Sequence, residues 1–269
     1  MEDRIRLTIA DGIADVRLNR ADKMNALDPA MFRAIAEAGA RLKDDRSLRA
    51  VVLSGEGPAF CAGLDVERVA AMAAGSSILP FADLAERTHG MANYAQHIVW
   101  LWRELPVPVI AAVHGVAVGG GFQLTLGADL RYVAPGTRLS VIEAKWGLVP
   151  DMAGTQLMRH LAREDVVREL TYTARIFSAE EALAYGFATR LVDDPRAAAM
   201  ATARDIAGRS PDAIRAAKRL LNQAVACEAR AGLVAETTEQ YCLIGRPNHV
   251  EALKANLEKR PPRFTDPAA

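Results

Sequence analysis

Apolar residues alternate with polar ones at the start of the chain, as Ile5, Leu7 and Ile9 and then Ile13, Val16 and Leu18, on either side of Asp11-Gly12. An Asp-Gly pair between two such runs predicts a β-hairpin, because both residues tolerate the positive φ of a tight turn. The period then lengthens. Asp28-Pro29 reads as an N-cap followed by proline at the first helical position, opening an amphipathic helix near 29 to 44. Val51 to Leu53 is a short apolar run of buried-strand type, ended by a loop from Ser54 to Asp65. A helical stretch near 83 to 104 leads into a second apolar strand at 108 to 113, and Phe122 to Gly127 is helix-like. Strands alternating with helices predict an α/β fold with a largely parallel sheet. Beyond about residue 195 the pattern is wholly helical: 197 to 208, a Ser210-Pro211 cap opening a helix to about Ala229, and more helix to about Glu258. The chain thus divides into a core over 1–195 and a helical region over 196–269, with an irregular proline-bearing tail from Arg260 to Ala269 and no fixed-period repeat.

Composition narrows the function classes. Lys plus Arg and Asp plus Glu each total 33 in 269 residues, so net charge gives no pull toward nucleic acid or an anionic membrane. That length can bury one full core without a second independent domain. The three cysteines, Cys61, Cys227 and Cys242, are odd in number, widely spaced and without a CxxC, which argues against a disulfide framework or structural zinc and fits a reducing cytoplasm. Met1 to Ala10 is charged, unlike a secretory signal. The longest uncharged run, Leu105 to Phe122, is broken by prolines and glycines and reads as a buried strand plus a turn rather than a membrane span.

Two loops carry candidate chemistry. Ala59-Phe60-Cys61-Ala62-Gly63-Leu64-Asp65 and Gly119-Gly120-Gly121 each follow a buried strand and offer small residues. Glycines ahead of a helix let backbone N–H groups approach a ligand and favour negative charge there. Together the loops could aim two N–H groups at one oxygen and stabilise an enolate-like charge; alternatively, they are simply turns. Cys61 has no histidine near it in sequence and is expected to be a buried packing thiol. His114 is expected to fix a loop by hydrogen bonding, and Trp100, Trp102 and Trp146 to lie in the core or an interface. The basic cluster from Lys254 to Arg263 reads as a solvated helix face.

The pieces Lys23-Met24-Asn25-Ala26-Leu27, Phe60 to Asp65, Ala111 to Gly115 with Gly119 to Gly121, Gly147-Leu148-Val149-Pro150, Gly154-Thr155-Gln156, and Phe177 to Ala182 with Gly186 resemble, in order and spacing, the crotonase superfamily. The ending Glu258 to Phe264 belongs to the same pattern, so the resemblance covers nearly the whole chain. It implies a spiral of ββα units, a coenzyme A thioester substrate, a C-terminal helical region that assembles trimers or dimers of trimers, and no metal or redox cofactor. It also implies that the N–H groups of Leu64 and Gly120 hold the thioester oxygen. Ala26, Ala62, Leu64, Asp65 and Val66 would lie along the coenzyme A path, with Lys23 near its phosphates or adenine. Two glutamates hold the attacking water in the enoyl-CoA hydratases of this superfamily. Glu143 matches the second, but Gln123 stands at the first. Asp151 is placed like an aspartate of the dienoyl-CoA isomerase branch, whose carboxylate at the position of Gln123 is also absent here. RNA-binding members exist, and the neutral charge gives that activity no support.

Hydration needs one group to take a proton from water and another to give one to carbon, and an amide can do neither. Double-bond migration asks only for one base beside an oxyanion site. The expectation is therefore an acyl-CoA enzyme with Glu143 as acid/base, leaning to isomerisation. A hydratase in which Gln123 orients the water, or a thioester binder without turnover, are the alternatives. Burial should raise the pKa of Glu143, and Gln123 spares it the repulsion of a second carboxylate. Asp151 is either a proton relay or the N-cap of a helix expected from Met152 to Leu161.

Overall fold

The hairpin forms as its alternation requires. In the computed structural model, which describes residues 4–73, 75, 79 and 82–267, β1 (Ile5–Ala10) and β2 (Ile13–Leu18) pair antiparallel around Asp11 at φ 51° and Gly12 at φ 73°. Asp28 caps α1 (Pro29–Lys43), its carboxylate accepting from the N–H of Met31 at 2.7 Å. β3 (Ala50–Gly55) then runs parallel to β2. α2 (Val66–Ala73) follows, and α3 (Tyr94–Glu104) begins later than the apolar pattern suggests. The reason is a reciprocal capping box: Asn93 Oδ1 accepts from the N–H of Gln96 at 2.9 Å, and Gln96 Oε1 from the N–H of Asn93 at 3.0 Å. Residues 83–93 form turns instead of helix.

The spiral builds in repeated steps. β4 (Val109–Val113) joins the large sheet, β5 (Val116–Val118) a small one, and α4 (Gly120–Leu126) closes the unit. β6 (Leu130–Val133) and β7 (Arg138–Ser140) repeat that division, followed by a 3-10 turn at Glu143–Trp146, α5 (Gly154–Met158) and α6 (Glu164–Thr173). β8 (Phe177–Ser178) completes the small sheet, and after α7 (Ala179–Tyr185), β9 (Arg190–Leu191) completes the large one. The sheet orders are β1-β2-β3-β4-β6-β9 and β5-β7-β8, and the large sheet is parallel from β2 onward.

Both faces of the large sheet are covered, which is why its strands read as continuous apolar runs. Val51, Leu53, Val109, Ala111 and Val113 face the main core, while Ala50, Val52, Ile110 and Ala112 face a second cluster. That second cluster is closed by Ala199 and Ala203 of α8 (Pro195–Ala207), one helical turn apart. The boundary drawn at 195/196 therefore needs correcting in terms of packing, because α8 is part of the core. The looser helices are α9 (Pro211–Ala224), α10 (Ala229–Leu243) and α11 (Pro247–Leu257); α9 ends five residues short of the expected Ala229. α9 is pinned by Lys218, whose buried ammonium donates to the carbonyls of Trp102 and Val107 and to Asp129 at 2.8 Å. The tail is irregular from Glu258 to Pro267, and its last two residues lie outside the described residues.

Candidate active site

A short ladder brings the two candidate loops together. The N–H of Cys61 donates to Val116 O at 3.0 Å and the N–H of Val118 to Cys61 O at 3.2 Å, so residues 59–64 run parallel to β5. The close approach depends on Gly121, where an added Cβ would stand 2.3 Å from the carbonyl oxygen of Cys61. On its other side the loop pairs with the segment after β2: the N–H of Leu27 donates to Gly63 O at 2.7 Å and the N–H of Asp65 to Leu27 O at 3.1 Å. Strand alternation then turns the N–H of Leu64 away from that partner. The N–H of Gly120, at the first turn of α4, is free for the ordinary reason that helix starts leave donors unused. Neither N–H has an acceptor among the described residues. A Cβ placed on Gly63 would come 3.7 Å from the nitrogen of Gly120, which measures how near the two loops lie.

These loops border a cavity of about 220 Å³. Its wall is apolar, from Phe32 of α1, Val69 of α2, Ala95 of α3, Ile142 and Met152. Trp146, Leu148 and Val149 form an exposed apolar rim. Among the described residues lining it, Glu143 and Asp151 alone are charged. Glu143 opens the 3-10 turn after β7 and is 8 % exposed. Burial pushes its carboxyl above the ordinary value, and the charge of Asp151 adds to the rise. Its own backbone N–H and the amide of Gln123 pull the other way. Asp151 is also raised, by burial, against a hydrogen bond from its own backbone. Glu143 Oε2 is buried with no partner among the described residues.

Gln123 is elsewhere than the resemblance suggests. It is buried in α4 behind Glu143, outside the cavity lining, and donates from Nε2 to Glu143 Oε1 at 2.6 Å. Asp151 is not a helix cap: α5 starts at Gly154, its N-cap residue is Ala153 in the left-handed region, and no side chain caps it. Ala62, Leu64, Val66 and Gly120 line the cavity, whereas Lys23, Ala26 and Asp65 do not. Asp65 is paired with Arg20 and accepts from the N–H of Glu67 at 2.9 Å at the start of α2. Burial opposes its ionisation, yet the hydrogen bond and charge of Arg20 hold the carboxyl below the usual range. Ala26 is buried on the loop beside Ala62, and Lys23 is exposed there, 3.7 Å from Glu67.

The bland expectations fare unevenly. His114 Nε2 donates to Gly57 O at 2.9 Å and so fixes the loop. Cys61 is fully buried, donates to Asn25 O at 3.1 Å, and burial pushes its thiol up to about 12. Trp102 is core and Trp100 packs beside it, but Trp146 is half-exposed at the cavity rim. Sequence reasoning missed α2 and with it Val69, although Val66, Val69, Ala70 and Ala73 carry a helical period. It also missed Met152 and the rim, whose signal was the apolar Leu148-Val149 after Gly147.

A family model described as enoyl-CoA hydratase/isomerase matches residues 8–267. The chain belongs to that family. It is 30 % identical over 275 residues to the mitochondrial methylglutaconyl-CoA hydratase of Mus musculus, covering 98 % of this chain and 84 % of the relative. It is 31 % identical over 252 residues to the mitochondrial Delta(3,5)-Delta(2,4)-dienoyl-CoA isomerase of the same species, covering 92 % of this chain and 77 % of that one. Among solved structures, the enoyl-CoA hydratase from Bacillus anthracis superposes with a TM-score of 0.86 at 29 % identity, over 97 % of this chain and 98 % of that one. This crotonase-like enzyme thus has named relatives on both sides of the hydration and isomerisation divide. No helix among the described residues is long and apolar enough to cross a membrane.

Proposed function

We propose that this family member moves a double bond in an acyl-CoA thioester, with Glu143 and Asp151 as its proton-transfer pair. The observation that carries the reading is one apolar cavity lined by two acceptor-free N–H groups, at Leu64 and Gly120, and by these two carboxylates as its only charges among the described residues. The thioester oxygen of a 3-enoyl substrate accepts from both N–H groups. Ionised Glu143 removes a C2 proton, the electron pair moves through C2 and C1 onto that oxygen, and the dienolate is stabilised there. Collapse of the dienolate takes a proton at C4 from Asp151 or back from Glu143, leaving the 2-enoyl product. A raised pKa suits a group that must both take and give a proton near neutrality. The steps move protons only and require neither metal nor redox cofactor. Exposed Lys23, on the loop beside Ala62, is suited to the phosphates of coenzyme A.

Hydration is the second reading, supported by the names of the hydratase relatives, with water held between the same two carboxylates. Mass spectrometry of products from 2-enoyl, 3-enoyl and 3,5-dienoyl thioesters decides between them. Isomerisation gives a shifted double bond at unchanged mass, hydration gains the mass of water, and thermal stabilisation by thioesters without any product leaves a binder. Leu221, Leu233, Val234 and Tyr241 on α9 and α10 are each at least 60 % exposed, which supports assembly into a homotrimer or a dimer of trimers, to be read by light scattering.

A further inference from the structure

Both polar atoms of the Gln123 amide are committed to the protein, although the residue is only 1 % exposed. Its Oε1 accepts from the N–H groups of Met152 at 2.9 Å and Gly154 at 3.0 Å, while Nε2 donates to Glu143 Oε1 at 2.6 Å. Two N–H groups converging on one oxygen settle which way the amide points, since the flipped amide would set donors against donors. Its nitrogen therefore faces Glu143. It follows that Glu143 Oε1 acts as an acceptor, and that a proton carried by Glu143 sits on Oε2, the oxygen without a partner among the described residues. Gly154 makes room for this arrangement, because a Cβ there would stand 2.5 Å from Gln123 Oε1.

We propose that Gln123 is a positioning residue: its one amide ties Glu143 to the turn directly after Asp151, fixing the two carboxylates against each other and leaving Glu143 Oε2 as the atom that exchanges protons. The inference rests on the reading of Glu143 as the acid/base. It replaces the idea that the amide orients a substrate water, since Gln123 stands behind Glu143 rather than on the cavity wall. Among the charged groups of the described residues, Asp151 is the one that raises the carboxyl of Glu143 by its charge. Those of α6, which packs against the 3-10 turn, are paired: Glu164 with Arg168, Asp165 with Arg163 just before the helix, and Glu169 with Arg175 just after it. The amide therefore has a distinct electrostatic effect. It favours the ionised form of Glu143 against burial and against Asp151.

The test uses the full chain with Gln123→Leu, which removes the donor, and Gln123→Glu, which keeps an acceptor for Met152 and Gly154 but turns a carboxylate toward Glu143. The second variant retains the bonds that hold the turn, so it serves if the first fails to fold. Protonation of Glu143 is followed by isotope-edited infrared titration, with the band assigned from the Glu143→Gln counterpart of each protein. In both variants the midpoint should rise by on the order of one pH unit. The acid limb of kcat/KM for a 3-hexenoyl thioester should move with it. kcat should fall by on the order of 10- to 100-fold, while the Kd for hexanoyl-CoA changes by less than about threefold, since misplacement affects the reacting geometry more than binding. Midpoints and limbs that coincide with those of the unaltered protein would overturn the inference and leave Gln123 a packing residue. If the unaltered protein turns over no thioester, the functional reading falls by itself, and the infrared midpoint alone decides whether Gln123 governs Glu143.

Discussion

Glu143, the proposed acid/base, carries a thermodynamic burden. Its carboxyl is held above the ordinary 4.5, first by burial and then by Asp151, with its own backbone N–H and Gln123 opposing. The folded protein therefore keeps this proton where the unfolded chain has lost it, and stability falls as pH rises from the ordinary value through the raised one. Glu143→Gln should abolish turnover and leave thioester binding intact. The same change should leave stability near that of the unaltered protein at about pH 4, where both states are largely protonated, and raise it by on the order of 1 kcal/mol at neutral pH. Urea unfolding at the two pH values checks the sign. Equal stability at both would mean that water reaches the carboxylate and the burial is not felt. Asp151→Asn tests the proposed relay: because α5 is capped by no side chain, this variant should lose at least about tenfold in kcat without the roughly 1 kcal/mol loss typical of a removed N-cap.

The elements that matter most for the site are short, and their junction is tighter than their length suggests. Residues 59–64 lie between β5 on one side and the loop ending at Leu27 on the other, held by backbone bonds in both directions. Backbone so held needs no side chain to aim the N–H of Leu64. The crossing with α4 tolerates only glycine at 121. Gly121→Ala should force the strand segment and the helix apart, costing about 1–3 kcal/mol in stability, as overpacking does. Activity should fall by more than the loss of folded protein, because the proposed function needs the N–H groups of Leu64 and Gly120 to act on one atom. Comparing kcat per folded molecule, by activity and circular dichroism on the same sample, tests this. A variant that is less stable yet fully active when folded would show that the two N–H groups do not act on one atom.

At the scale of the whole molecule, the helical region is joined to the core by the ion pair of Lys218 with Asp129 as well as by packing. Lys218 reaches from α9 past α3 to Asp129, which also accepts from the N–H of Val109 at 2.7 Å, so the start of β4 and the start of β6 meet at this charge. Burial lowers the pKa of the ammonium, and Asp129 counters that fall. Lys218→Met removes the charge and leaves two buried carbonyls without their donor. A cost on the order of 2 kcal/mol is expected, less than for a fully enclosed pair because Asp129 is a quarter exposed. Hydrogen exchange should show α9 to α11 opening more readily while the cavity-lining amides keep their protection. Loss of protection across β3 and β4 together with α9 would instead mean that the helices and the core unfold as one unit.

The sequence alone determined whatever depends on near neighbours. The hairpin turn at Asp11-Gly12, the cap at Asp28, the buried runs of β3 and β4 and the order of the glycine loops are set by backbone preference and hydrophobic period, and all of them stand in the structure. Glu143 and Asp151 could be named as candidates because the resemblance to the crotonase superfamily puts acidic groups at their positions. Only tertiary structure decided where residues point when their partners lie far along the chain. Residues 83–93 could be helix by pattern, but the Asn93 and Gln96 capping box starts α3 at Tyr94, and Asn93 also donates to Leu84 O. α8 looks like the first helix of a separate region until Ala199 and Ala203 are seen against the sheet. Asp65 belongs to Arg20, 45 residues earlier, and Gln123 belongs to Glu143, Met152 and Gly154, 20 to 31 residues later. An amide in a sequence shows that a position has lost a charge. Which atoms that amide holds instead depends on a chain reversal that no local preference encodes, since buried polar groups are satisfied by whatever the fold brings near them.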